Sequence, residues 1–165
     1  MSYGFNAGEV FKIAIQIEKN GTEFYEKSVK NIKETEIKAL FIDLALQEIE
    51  HKRKFESLLA GLPPASTAPT VWDPDNEIDQ YIKMMADDHI FVSSSDVKDR
   101  VDRLKDTMDA LKLAIEFEKD SVLFFLGLED AVTVEKDREL IKSLVKEEQQ
   151  HLRRLTLELR KISKT

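Results

Sequence analysis

No cysteine occurs among the 165 residues. That excludes disulfides, thiol catalysis, cysteine-ligated zinc and iron–sulfur clusters, so any metal must be held by nitrogen and oxygen. Glycine occurs only five times and proline only at positions 63, 64, 69 and 74, which leaves two long stretches free of proline. No apolar run approaches the roughly 18 residues of a membrane span, and the opening MSYGFNAGEVFK lacks a basic region followed by an apolar one. A soluble, cytoplasmic protein without membrane contact is expected. The net charge is −7 with lysine and arginine scattered among the acids, so no basic stripe exists to follow a phosphate backbone and nucleic acid is not an expected partner.

What is present is helical periodicity. Val10, Ile13, Ala14, Ile17, Phe24 and Tyr25 recur at spacings of three and four, predicting an amphipathic helix from residue 7 to about 32. A polar break at 33–35 offers Thr35 as an N-cap, and Leu40, Phe41, Leu44, Ile49, Phe55, Leu58 and Leu59 carry a second helix to about Ala60, where Gly61 and Pro63 stop it. A third helix is expected from about 107 to 131 and a fourth from about 135 to 162. Between the second and third, residues 61–106 open with the loop LPPASTAPTVWDPD and continue with a short helical pattern of Ile78, Tyr81, Ile82 and Met85. They read as a connection within one domain spanning 1–165. Residues 97–104 fit either a separate helix or an extension of the third.

The chain repeats itself at an offset of 100. FKIAIQIEKNGTEFY (11–25) and LKLAIEFEKDSVLFF (111–125) share six positions, and the second and fourth helices share leucines, Glu48/Glu148, His51/His151 and Arg53/Arg153 in the same frame. The expected fold is an all-α four-helix bundle built from a duplicated helical hairpin. A two-fold arrangement makes the second and third helices parallel, and a helix of about 27 residues is roughly 40 Å tall. The connection must climb that height, which accounts for its length.

The repeat also aligns the chemistry. Glu-x-x-His occurs at Glu48/His51 and at Glu148/His151, and residues three apart project from one helix face about one turn apart. Glu18 and Glu118 are matched acids in apolar surroundings, each about as far from its hairpin turn as the partner Glu48 or Glu148. Four carboxylates and two imidazoles therefore converge at mid-bundle, where uncompensated charge is prohibitive and two metal cations would supply the balance. Mixed oxygen and nitrogen ligands suit iron or manganese better than a closed zinc site. Tyr25, two turns beyond Glu18, is a candidate hydrogen-bond donor to this site or a core tyrosine. Glu50, Glu116 and Glu147 are expected on other faces, solvated or structural, and His89 to be an ordinary residue of the connection. Phe124 and Phe125 with Leu123, Leu126 and Leu128 exceed one core stripe, suggesting a homodimer interface or an extra core layer.

In EKNGTEFYEK, LQEIEHKRKFESLL, FEKDSVLFF and EEQQHLRRL the chain resembles the rubrerythrin-like branch of the ferritin-like superfamily across all four long helices. The resemblance implies a ferritin-like bundle holding two iron ions per chain, with Glu18 and His51 serving one, Glu118 and His151 the other, and Glu48 and Glu148 bridging. It implies reaction with peroxide or dioxygen. Full rubrerythrins append a cysteine-ligated rubredoxin domain; without cysteine, electrons are expected from a separate donor protein. Rubrerythrins also carry a seventh carboxylate where this chain has Ser121, with Gly21 as its repeat mate, and that speaks against peroxidase turnover of their kind. The second helix lacks the methionine with which bacterioferritins ligate haem, and the chain shows no fifth helix, so no haem is expected. Three functions follow: a di-iron oxidoreductase, an iron-handling protein that takes up and oxidises Fe(II), or a metal-free helical adaptor.

Overall fold

A computed structural model describes residues 7–63, 75 and 77–164. The helices are α1 (Ala7–Ser28), α2 (Thr35–Ala60), α3 (Glu77–Asp87), α4 (Ser94–Asp102), α5 (Thr107–Ala131) and α6 (Glu135–Ile162), and no strand occurs among the described residues. Most of the proline-punctuated loop and the side chain of Ile78 lie outside the described residues. The four long helices stand where the apolar periodicity places them. Their ends differ in two respects. The first helix stops at Ser28 and tightens into a 3-10 turn, Val29–Asn31, instead of running on to 32. Thr35 is not the N-cap of α2 but its first residue; Glu34 holds that position and makes no side-chain cap. The Glu34 carboxylate instead accepts a hydrogen bond from the Thr107 hydroxyl, while the backbone N–H of Lys33 donates to Thr107 Oγ1 at 3.1 Å. A tertiary contact has taken the place of the local cap.

That contact also sets the topology. Thr107 opens α5 and Glu34 precedes α2, so both helices start at the same end of the bundle and run parallel. α1 packs chiefly on α2 and α5 on α6, giving two hairpins. The chain must return from the far end between them. It does so through α3, which lies on α5, and α4, a separate helix that lies on α1 and is closed by a reciprocal Ser93/Asp96 capping box. Gly127 lets α3 approach, since a Cβ there would meet the Tyr81 ring at 2.8 Å.

The turn between α3 and α4 closes the bundle side formed by α1 and α5. The Asn20 side chain donates to the Phe91 carbonyl at 3.0 Å, and the backbone N–H of Ile90 donates to Asp120 at 2.9 Å. Phe91 thereby sits among Phe24 and Phe117, with ring centroids 5.2 and 5.6 Å away. Tyr25 and Phe41 complete this aromatic layer. Phe124, Phe125 and Leu128 are buried in the monomer, with Phe125 4.9 Å from Phe55. These three form an extra core layer, while Leu123 and Leu126 of that group are exposed.

Close helix approach depends on Gly21. A Cβ there would lie 2.5 Å from Phe117 Cζ and 2.7 Å from Glu48 Oε2, so Gly21→Ala must displace a packed ring and a buried carboxylate. Overpacking costs about 1–3 kcal/mol, against up to about 1 kcal/mol regained from helix propensity. Gly21→Ala should melt several degrees below the parent in thermal unfolding; an equal or higher melting temperature would show that Phe117 yields freely.

Candidate metal centre

α1 contributes Glu18, α2 Glu48 and His51, α5 Glu118, and α6 Glu148 and His151. All six side chains are at most 1 % exposed. They form two groups, Glu18/Glu48/His51/Glu148 and Glu48/Glu118/Glu148/His151, each offering four oxygen or nitrogen atoms within 4.8 Å of one another. Glu48 and Glu148 are common to both. The sequence spacing is translated into space by the helix itself: Glu and His three residues apart on α2 and α6 lie over one another on the face turned to α1 and α5.

The two imidazoles are nearly parallel, with centroids 5.4 Å apart and planes 10° from coplanar orientation. Each turns Nδ1 inward. His51 Nδ1 lies 2.6 Å from Glu148 Oε1 and 3.7 Å from Glu18 Oε2. His151 Nδ1 lies 2.9 Å from Glu148 Oε2, 3.4 Å from Glu48 and 3.5 Å from Glu118.

Each Nε2 points outward to the opposite hairpin. His51 Nε2 lies 2.9 Å from Glu147 Oε2 on α6, and His151 Nε2 lies 2.9 Å from Gln47 Oε1 on α2. Glu147, expected on another face, is thus a partner of the site, and Gln47 is a second that the sequence reading missed. Both were visible in principle as repeat mates four residues before the histidines. One turn of helix places them beside the facing helix, not beside their own histidine, and that pairing exists only once α2 and α6 pack together. Glu147 also accepts from Lys54 Nζ at 2.9 and 3.0 Å and from Ser143 at 3.2 Å; Gln47 donates to Asp43 at 2.8 Å, and Asp43 is paired with Arg154 at 2.6 Å.

Tyr25 donates its hydroxyl to Glu118 Oε1, so it serves the acid of α5 rather than the Glu18 of its own helix. His89 is buried rather than an incidental connection residue. Its Nδ1 accepts from the backbone N–H of Phe91 at 3.3 Å, so its Nε2 carries the proton and faces Ser121 Oγ at 3.4 Å. Burial lowers its pKa to about 4, keeping it neutral. Glu50 and Glu116 are exposed, as expected.

The electrostatics are those of a cage that holds protons unless cations replace them. Burial raises Glu18 well above 4.5, and the charges of Glu48 and Glu148 raise it further. Glu118 is raised by burial and by Glu148 and Glu48, against the pull of His151. Burial would also raise Glu148, yet His51 and His151 on either side hold it below the ordinary carboxylate range. Burial opposes charge on both histidines, but the facing carboxylates prevail and lift both above 6.5. The Tyr25 phenol is raised by burial and then by Glu118 and Glu48, so it stays a donor.

The donor set fits metal ions on a structural ground. Eight buried atoms of the six residues have no hydrogen-bond partner outside the cage and face only one another: both oxygens of Glu18 and of Glu148, Glu48 Oε1, Glu118 Oε2 and the two inward Nδ1 atoms. Buried polar atoms are ordinarily satisfied, and these all face one interior point between four helices.

The Rubrerythrin family model matches residues 9–159. The chain belongs to the rubrerythrin family. Among solved structures it is similar to one from Thermotoga maritima presented as a ferritin-like diiron-carboxylate protein, with a TM-score of 0.70 and 21% identity over 97% of this chain and 98% of that one. No curated protein matches it. The fold of this rubrerythrin-family chain is therefore ferritin-like, as the resemblance implied. No helix among the described residues is long and apolar enough to cross a membrane.

The pH dependence has a definite sign. Glu18, Glu118, His51 and His151 have folded pKa values above their unfolded ones, so their contribution is complete below 4.5 for the acids and 6.5 for the histidines and is lost as pH rises through the folded values. Glu148 works oppositely, but its window lies below 4.5. In chelator, the melting temperature should fall as pH rises from 6.5 to about 9. The increment conferred by Mn(II) should grow over the same interval, because ligands must shed protons to bind. Calorimetry with and without Mn(II) checks both, and a flat chelator profile would show that the cage does not hold these protons.

Proposed function

We propose that this chain is a di-iron carboxylate oxidoreductase, acting on peroxide or dioxygen with electrons from a separate donor protein. The observation that carries the reading is the set of eight buried ligand-type atoms with no partner outside the cage, on residues that form two groups sharing Glu48 and Glu148. Glu18 and His51 would hold one metal ion, Glu118 and His151 the other, and Glu48 and Glu148 would bridge. Iron held there supplies the electrons that peroxide or dioxygen accepts; manganese suits the same donors.

The remaining roles belong to the protein. The six ligands are sealed from solvent, which excludes bulk water and admits only small reactants through motions of the packed helices. Entry of cations displaces the protons held on Glu18, Glu118, His51 and His151, so the site changes its metal content without trapping net charge. Tyr25 fixes Glu118 and offers a proton close to the site. With no cysteine to carry an iron–sulfur relay in this sequence, reduction depends on an outside protein. The Thermotoga neighbour's description as a diiron-carboxylate protein supports the choice of metal.

A second reading, Fe(II) uptake and oxidation without catalytic peroxide turnover, is favoured by Ser121. That position, a carboxylate in rubrerythrins of the peroxidase type, is here a small buried hydroxyl covered by the His89 ring.

Anaerobic reconstitution with Fe(II) should give close to two iron ions per chain, and Glu48→Ala with Glu148→Ala should abolish the pair. Hydrogen peroxide or dioxygen with an excess of reductant should then turn over many times per site without iron accumulating. A single oxidation event followed by iron release or retention would select the second reading, and iron content near zero would end both.

A further inference from the structure

The two halves of the cage match in the six ligands and differ in what stands behind them. Position 147 is Glu where its mate 47 is Gln, and position 25 is Tyr where its mate 125 is Phe. Both differences bear on the strength of a metal ligand. They act on opposite halves of the site.

Consider first the histidines. Asp43 can only accept, so the Gln47 amide must turn its Nε2 toward Asp43 and its Oε1 toward His151. His151 Nε2 therefore donates to a neutral amide carbonyl. His51 Nε2 donates at the same 2.9 Å separation to the Glu147 carboxylate. In both rings the outer Nε2 keeps its proton and the inward Nδ1 is the atom a metal would engage once its own proton has left, but a hydrogen bond to an ionised acceptor is roughly twice as strong as one to a neutral acceptor. It makes the ring the more basic ligand. Lys54 offsets some of the Glu147 charge, but both groups are about one-third exposed, 32% and 35%, where water screens the pair. Behind His151 a carboxylate, Asp43, stands one residue further out and is itself engaged by Arg154.

The terminal acids differ in the same sense. Glu118 has one oxygen committed to the Tyr25 hydroxyl, whereas neither oxygen of Glu18 has a hydrogen-bond partner outside the cage. A carboxylate whose charge is partly taken by a hydrogen bond is the weaker donor to a cation. Phe125 offers Glu18 no equivalent.

We propose that the two metal positions are inequivalent, and that the position of Glu18 and His51 takes the first divalent cation, with Glu147 and Gln47 as the positioning residues that set the order. The inference rests on the di-metal reading above. Two shared carboxylates would split the binding constants by mutual repulsion even in a symmetric site, so unequal affinities alone prove nothing. The order in which the histidines are engaged is the diagnostic.

The test uses full-length protein labelled with 15N-histidine, stripped of metal and titrated with Zn(II) alone as a redox-silent divalent probe. Imidazole signals are assigned from His51→Ala and His151→Ala. The Nδ1 coordination shift of His51 should build through the first equivalent and that of His151 through the second. Glu147→Gln should weaken the first site by about ten- to a hundredfold. Gln47→Glu combined with Glu147→Gln should bring the two histidines into step or reverse them. All of these exchanges are isosteric and partly exposed, and Glu147→Gln alone gives the same readout if the double variant does not fold. Parallel filling in the parent, or His151 first, overturns the proposal while leaving a di-metal site standing. An order unchanged by the exchange overturns the part assigned to Glu147 and Gln47. No coordination shift on either histidine overturns the di-metal reading as well.

Discussion

Everything in this bundle is arranged around the cost of burying four carboxylates and two imidazoles at one level. A single carboxylate moved from water into a dry interior costs several kcal/mol even after relaxation, and four together cannot all stay ionised without cations or protons among them. The charge can be compensated in two ways, by protons or by cations. The apolar layers on either side, Phe24, Phe41, Phe91 and Phe117 on one and Phe55, Phe124 and Phe125 on the other, provide the compensating burial, about 1.5–3 kcal/mol for each large side chain.

The same constraint explains the division of labour around the site. On the side of α2 and α6 the histidines reach through the wall, and their outer nitrogens meet polar partners, Glu147 and Gln47, that are themselves in touch with solvent. On the side of α1 and α5 the wall is apolar and closed by the turn between α3 and α4, whose polar atoms are tied to Asn20, Asp120 and Ser121. The long connection required by the parallel course of α2 and α5 is used as a structural wall, and His89 occupies the space beside Ser121.

Rubrerythrin-family membership and a ferritin-like fold leave the reaction open, because a fold does not by itself fix chemistry. In this chain a few side chains stand around the six cage residues: Ser121 beside His89, Tyr25 on Glu118, and Glu147 and Gln47 behind the two histidines.

Sequence alone determined the four long helices, the level at which the six ligands meet and the need for a long return segment. These are consequences of local periodicity: helix geometry converts a three-residue spacing into a shared face, and equal distances from a turn into equal height. The pairing of Glu34 with Thr107 in place of a cap, the burial of Phe124 and Phe125, the donor role of Tyr25 toward Glu118 and the partnership of His51 with Glu147 were decided only by tertiary structure. Each depends on which helix stands opposite, and a residue's own neighbours in sequence carry no information about that. Glu147 shows the reason most plainly: on α6 by itself it belongs to a polar face, and it becomes part of the site only because α2 packs against that face and brings His51 within 2.9 Å.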